Sequence, residues 1–441
     1  MKIAILGFGS QGQSALEYWS KDANNTITIC DENANIKLPS DVDSQLGDNY
    51  LSGLDRFDLI VRSPSVHPDD ISKKNPSVSD RVTTVTNEFF RVCPSKNIIG
   101  VTGTKGKGTT STLITKMLEA SGKRVHLGGN IGTPPLDMLK NNIQPEDFVV
   151  LELANFQLID LQFSPHIAVC LMVAAEHQDW HSDYQEYKDA KRQLFLHQTT
   201  SDIAIYYSDN LDSTDIGSSS IGQKIPYYRP PGAYVDGDKI VIDGQTCCFL
   251  SEVGLLGEHN WQNICATVTV VWQITKDLDA INSVITSFKG LHYRLEFIRE
   301  LNGVKYYNDS FGTTPETAMV AIKSFSSPKV IILGGSDKGS DYSELVKLIA
   351  NSDIRFIILI GNTGPKLMEA LQGADIPENK IKLLTSTTMH QIVRTASEHA
   401  LAGDVVLLSP ACASFGLFKN YQDRGDQFNQ AVLKLPEPDL Q

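Results

Sequence analysis

Residues Ile98–Leu118 read IIGVTGTKGKGTTSTLITKML: an apolar run, a glycine-rich turn, then an amphipathic run. That order is strand, loop and helix. Gly103, Gly106 and Gly108 let the backbone turn tightly with its N–H groups pointing inward, around Thr104. Lys107 supplies a mobile positive charge for β- and γ-phosphates, and either Thr109 or Thr110 offers a hydroxyl to Mg²⁺. A turn that merely reverses the chain would not need Gly, Lys and Thr together at a strand–helix junction. The spelling departs from G-x-x-x-x-G-K-[ST], because Val101 occupies the first glycine position and Gly108 follows the lysine. The shorter form T-G-T-x-G-K fits. ATP and Mg²⁺ are the expected ligands.

Outward from this loop, short apolar runs alternate with longer amphipathic ones: KIAILGFG, TITICD, DLIVRS, FVVLEL, IAVCLMV, KVIILGG, RFIILIG and DVVLLSP. Each reads as a buried strand ending in small or polar residues, the pattern of parallel α/β sheets with ligands at the carboxyl ends. Three such blocks are expected within the 441 residues, too many for one core. Cys93–Asn97 reads as a linker, and a further block begins near Phe297. Two Asp-Gly turns within Ala233–Leu250 predict a small antiparallel ribbon, and Asn210–Ser220 reads as a surface loop.

A net charge of -13 argues against a general nucleic-acid binder, though not against a nucleotide site built from backbone N–H groups. The seven cysteines form no C-x-x-C pair, which fits a reducing compartment. With no apolar run near the length of a membrane span and no secretory signal, a cytoplasmic protein without membrane insertion is expected.

The loop, with several separated motifs in order along nearly the whole chain, resembles the Mur ligases, the ATP-dependent amide-forming enzymes of peptidoglycan precursor synthesis. Folylpolyglutamate synthases are relatives that share the G-K-G-[ST] variant. The resemblance implies an α/β fold in three domains. These are a Rossmann-like UDP-substrate domain over residues 1–94, a P-loop ATPase-like domain over 95–296 with the ribbon, and a Rossmann-like amino-acid domain over 297–441. It implies that a carboxylate and ATP give an acyl phosphate, which an amine then attacks.

In the middle block, Glu152 of FVVLELANFQLID matches the family's metal-binding glutamate in L-E-L-S-S-F-Q. Ala154 and Asn155 replace the two serines, and Gln157 is kept. His177 matches the metal histidine of D-H-x-D, and Lys191 matches the lysine that the family carbamylates. His181 is expected to be a surface or packing residue. Asn130 of GGNIGTP matches the residue that holds the uridine-linked substrate, while Asn260 and Asn263 match positions facing the adenine and the hinge. Lys107, Glu152, His177, Lys191 and Arg294 form the implied catalytic set.

GFGSQG puts Gly7, Gly9 and Gly12 after the first strand, with Ser10 and Gln11 beside them and Asp31 ending the second strand. By itself this spacing suits a dinucleotide enzyme, a reading that leaves Lys107, Glu152 and His177 unused. In the Mur family the turn holds a UDP-sugar. RSPSVHP resembles the S-P-G segment of the same pocket, with Ser65 replacing glycine. Folylpolyglutamate synthases lack such a block.

In the third block, Arg294 matches the arginine that reaches the ATP phosphates, and Asp309 matches a nucleotide contact. The family's D-glutamate-adding members read N-D-S-K-A-T-N where this chain reads NDSFGTTP, so Phe311 replaces a lysine and Thr313 is kept. Lys338 in LGGSDKGSDYSEL would pair with one glutamate carboxylate. Ser414, Phe415 and Tyr421, in SPACASFGLFKNY, would hold the other. The implied substrates are UDP-N-acetylmuramoyl-L-alanine and D-glutamate, acted on by a monomer. The alternatives are another ligase of the superfamily, using for example L-glutamate, and a non-catalytic nucleotide-binding protein.

Overall fold

The computed structural model describes every residue except 177–179, 256, 258, 337–339, 375, 385–387 and 437–441. His177 and Lys338 therefore lie outside the described residues. The chain divides into two compact units: Met1–Gly254 with Glu258–Phe288, and Leu255–Gly257 with Lys289–Gln441.

The first unit holds two parallel sheets. The first consists of β1 (Lys2–Leu6), β2 (Thr26–Asp31), β3 (Asp43–Leu46), β4 (Leu59–Arg62) and β5 (Val82–Thr84), in the order β3-β2-β1-β4-β5. The second has β6 (Ile98–Thr102), β7 (Val125–Gly129), β8 (Phe148–Glu152), β9 (Ile167–Cys170), β10 (Ile203–Tyr207) and β11 (Gln223–Tyr227), in the order β11-β10-β9-β6-β8-β7. Strand β6 is buried at all five positions, as a central parallel strand must be. The expected ribbon is present as β12 (Tyr234–Asp236), β13 (Lys239–Ile242) and β14 (Gln245–Phe249).

These two sheets share one apolar cluster, which runs from Ile5 and Phe89 through Leu136 and Met138 to Leu151 and Leu194. Polar ties reinforce it. Arg62, fully buried, makes a two-pronged pair with Asp160 at 2.7 and 2.6 Å. Asn87 donates to Asp160 O at 3.0 Å and accepts from Gln162 N at 2.9 Å. The Cys93–Asn97 segment is anchored as well, since Ser95 is buried and donates to Asp147 O at 2.6 Å.

The expectation of a loop at Asn210–Ser220 is corrected. Leu211–Ser218 is a helix, capped by Asn210, whose side chain accepts from Ser213 N at 2.9 Å. Ile216 is buried, and Gly217 packs so closely on the Tyr206 ring that a Cβ would meet it at 2.6 Å. The polar composition belongs to the cap, to exposed Asp215 and Ser218, and to buried Ser213, whose Oγ donates to Cys170 O at 2.9 Å.

The second unit is one mixed sheet of β15 (Glu296–Leu301), β16 (Val304–Asn308), β17 (Lys329–Gly335), β18 (Ile354–Gly361), β19 (Ile381–Leu384) and β20 (Val405–Leu408), in the order β15-β16-β20-β17-β18-β19. β15 and β16 form an antiparallel hairpin, and the remaining pairs are parallel. Apolar clusters cover both faces of this sheet.

Candidate active site

The phosphate loop leaves the carboxyl end of β6 and enters the Lys107–Ala120 helix. Gly103 has φ +146° and Gly106 φ +88°, values that favour glycine. Neither position has room for a side chain: a Cβ at Gly103 would lie 2.7 Å from Leu171, and one at Gly106 2.2 Å from Asn263 Oδ1. Asn263 therefore lies against the loop, and its Nδ2 donates to Asn260 Oδ1 at 2.9 Å. Thr104 ties the loop to β9's continuation, accepting from Ala174 N at 2.9 Å and sharing a hydrogen bond with Tyr187 OH at 2.9 Å. Thr109 is half-buried, whereas Thr110 is buried and its Oγ1 lacks a partner among the described residues.

Two lysines converge on one carbonyl. Lys107 Nζ donates to Gly103 O at 3.0 Å and to Thr104 O at 2.9 Å, and Lys191 Nζ donates to the same Gly103 O at 3.0 Å. Lys191 is fully buried on the Tyr184–Leu196 helix, with Nζ 4.3 Å from the Tyr187 ring centroid. Burial first, and then the charge of Lys107, push its ammonium down to about 7. A large fraction of this amine is thus neutral near neutral pH, the form that can react with CO₂.

Glu152 ends β8 beside β6, its Cα in register with Val101. Oε1 accepts from Asn130 Nδ2 at 2.9 Å, while Oε2 is buried with no partner among the described residues. A buried carboxylate oxygen left unpaired beside a phosphate loop is the kind of donor a hard divalent cation satisfies, so these residues fit Mg²⁺. Gln157 caps its short helix by accepting from Ala154 N at 3.0 Å, leaving its buried Nε2 unpaired among the described residues.

Asn155 replaces a family serine, and its longer side chain reaches His181 Nε2 at 2.7 Å. His181 Nδ1 meets Glu186 at 3.0 Å. His181 is buried, so of the two expected readings packing holds and surface does not. His67 completes a group whose ligand atoms lie within 4.8 Å of one another. However, His67 Nδ1 accepts from Asp69 N at 3.2 Å, which in the neutral ring places the proton on Nε2, 3.5 Å from Glu186, and leaves that atom no lone pair for a metal.

In the first sheet, Gly7 and Ser65 meet where the strand order reverses, at the carboxyl ends of β1 and β4. A Cβ on Gly7 would lie 3.0 Å from Ser65 Oγ, and one on Gly12 would lie 2.1 Å from Gly7 O. Gly9 precedes the Ser10–Trp19 helix, whose first turn carries Ser10 and Gln11. The Asp31 carboxylate accepts from Phe8 N at 2.7 Å and Asn33 N at 2.9 Å, so it shapes the turn itself.

In the second unit, loops from the ends of β16, β20 and β17 converge. Asp309 N donates to Leu408 O at 2.7 Å, and Ser409 Oγ donates to Asp309 Oδ2 at 2.7 Å. Burial raises the Asp309 carboxyl from 3.8 to about 7. Thr313 is half-buried, Ser414 is buried and Phe415 is exposed. Arg294 stacks on Phe311, which meets Tyr421 edge-on.

Sequence reasoning missed Arg424. It is fully buried, donating to Ser310 Oγ at 2.9 Å, Ser310 O at 2.8 Å and Cys412 O at 3.1 Å. It locks the turn after β16 to the SPACAS segment. Nothing in QDRGDQ distinguishes it from an arginine on a solvated helix face.

Models of the Mur ligase middle domain and of the Mur ligase glutamate ligase domain match residues 101–271 and 293–412. The chain belongs to the Mur ligase family of ATP-dependent ligases. Among its relatives, the UDP-N-acetylmuramoylalanine--D-glutamate ligase of Clostridium kluyveri is 34% identical over 445 residues, covering 98% of this chain and 96% of that protein. The enzyme of the same name from Acetivibrio thermocellus is 35% identical over 461 residues, covering 98% and 96%. The solved UDP-N-acetylmuramate-alanine ligase of Thermotoga maritima has a TM-score of 0.58 at 14% identity, covering 98% of this chain and 99% of that one, a likeness of fold.

Proposed function

We propose that this chain joins D-glutamate to UDP-N-acetylmuramoyl-L-alanine in peptidoglycan precursor synthesis, with ATP converting the substrate carboxylate to an acyl phosphate. The observations that carry the reading are the pair of lysines on Gly103 O and, at the end of the neighbouring strand, the unpaired oxygen of Glu152. The near-full-length similarity to D-glutamate ligases supports the choice of substrates.

Lys107 exchanges the loop carbonyls for the γ-phosphate, and Arg294 adds a second positive charge as the substrate carboxylate attacks phosphorus and ADP leaves. Lys191, as the neutral amine, adds CO₂ to give a carbamate and a proton, which turns a cationic position anionic. Glu152, carbamylated Lys191, His177 and a hydroxyl of Thr109 or Thr110 would hold Mg²⁺, which supplies charge neutralisation at the phosphate oxygens. The glutamate amine then attacks the acyl carbon, and the tetrahedral intermediate collapses to amide and phosphate.

Asn260, Asn263 and Asp309 serve the nucleotide. Gly7, Gly9, Ser10, Gln11, Gly12, Asp31, Ser65, Asn130 and Gln157 serve the UDP-linked substrate. Thr313, Lys338, Ser414, Phe415 and Tyr421 hold the amino acid. The three-domain division at residues 94 and 296 accompanies this reading, as does a monomer in the cytoplasm. Seven free, buried cysteines support a reducing compartment, and among the described residues no helix is long and apolar enough to cross a membrane.

The test is phosphate release from ATP with UDP-N-acetylmuramoyl-L-alanine and a panel of amino acids. D-glutamate should give the highest kcat/KM. Preference for L-glutamate would favour the other superfamily reading, and no ADP with any acceptor would sink both.

A further inference from the structure

Phe311 stands where the D-glutamate-adding motif carries lysine, and the second unit shows what the aromatic ring does there. We propose that Phe311 is a positioning residue that holds the Arg294 guanidinium in its working direction, an inference that rests on the phosphate role proposed for Arg294.

The guanidinium carbon of Arg294 lies 3.7 Å from the Phe311 ring centroid, within stacking range. The ring is 38% exposed, and the edge of Tyr421 sets its plane at 5.1 Å. The backbone around Arg294 is equally constrained. Its neighbours Tyr293 and Leu295 sit in the left-handed region at φ +62° and +46°. Four hydrogen bonds hold that shape. Tyr293 N donates to Glu296 at 2.9 Å, Leu295 N to Asp309 Oδ1 at 3.3 Å, and Phe311 N to Tyr293 O at 2.9 Å. Tyr293 OH donates to Asp426 at 2.6 Å. Gly425 lets the Tyr293 ring approach, since a Cβ there would meet it at 2.2 Å.

Such an arrangement fixes the Arg294 backbone by hydrogen bonds and one face of its side chain by an aromatic plane, so less freedom is lost when phosphate binds. A lysine at this position would set a like charge beside the guanidinium.

The experiment uses the full chain. Steady-state phosphate release is measured for wild type, F311L, F311W, F311K, R294A and F311L/R294A. Arginine-selective ¹⁵N NMR reads the ring-current displacement of the Arg294 Nε–H, independently of turnover. F311L should lose about tenfold in kcat/KM for ATP, with the KM for D-glutamate within about twofold. F311W should recover most of that loss, F311K should lose most, and F311L should cost nothing further in the R294A background. The NMR displacement should vanish in F311L and persist in F311W. The proposal is overturned if F311L raises the KM for D-glutamate alone, if F311K matches wild type, if the losses add in the double variant, or if wild type shows no displacement. An inactive wild type with the displacement intact would instead overturn the proposed reaction and leave the positioning geometry standing.

Discussion

The turn after β6 and the turn after β16 both leave the carboxyl end of a strand that has a parallel neighbour, but different forces hold them in shape. The first is a backbone device. Gly103 and Gly106 tolerate no side chain, two lysines crowd one carbonyl, and the neighbouring strand ends in an unpaired carboxylate oxygen. The second is a side-chain device, in which buried Arg424 satisfies Ser310 and Cys412, and Ser409 satisfies Asp309. The first has charge to spare for an anion and a cation. The second is already balanced, and its specificity must come from the groups at its rim. Substitutions of the charged side chains of the first should therefore cut activity and spare the fold, whereas substitutions of the buried polar groups of the second should change stability.

The sharpest break is Lys107→Ala. It should cut kcat by roughly 10³-fold with an unchanged urea midpoint. It should also raise the Lys191 pKa, because Lys107 is one of the charges that lower it. A loss under tenfold would remove Lys107 from the phosphate role.

Arg424→Met is the counterpart. Leaving Ser310 O and Cys412 O buried without a donor should cost about 3 kcal/mol in chemical denaturation. A cost below about 1 kcal/mol would mean those carbonyls find other donors.

Lys191→Ala should lower kcat by roughly 10²-fold, and short carboxylic acids should restore part of it by standing in for the carbamate. Wild-type activity in CO₂-depleted buffer should recover on adding bicarbonate, more readily as pH rises through about 7 and the amine loses its proton. Indifference to both treatments would reduce Lys191 to a packing residue.

Asp309→Asn gives an effect that depends on pH and vanishes in acid. The folded carboxyl titrates near 7 against an ordinary 3.8. Between these values the unfolded chain is ionised while the folded chain keeps its proton, so stability falls as pH rises across that window. The amide cannot ionise, so D309N should lose this slope and gain roughly a few kcal/mol at most at pH 8 relative to wild type. Equal stabilities of the wild type in urea titrations at pH 4.5 and pH 8 would refute the burial argument.

The same contrast separates what was legible in the sequence from what was not. The first turn could be read because its residue types are obligatory there: only glycine fits, and lysine follows at the helix start. Buried parallel strands read as unbroken apolar runs, and two Asp-Gly turns announced the ribbon. Arg424 could not be read, since it joins the nearby Cys412 carbonyl to that of Ser310, 114 positions away in sequence. His181 was half legible for the same reason, because Asn155 and Glu186 bury it only once the chain is folded. Asn210–Ser220 misled because a capped helix whose buried Ser213 is satisfied by Cys170 O has the composition of a loop.

The bond between Arg62 and Asp160 has a practical corollary. Cys93–Asn97 looks like a seam at which a gene could be cut or a chimera joined. Severing it would uncover Phe89 and Phe90 and strand an arginine that has no water around it. A fragment ending there should aggregate, and donor-domain swaps between relatives should succeed only when the arginine and its aspartate travel together.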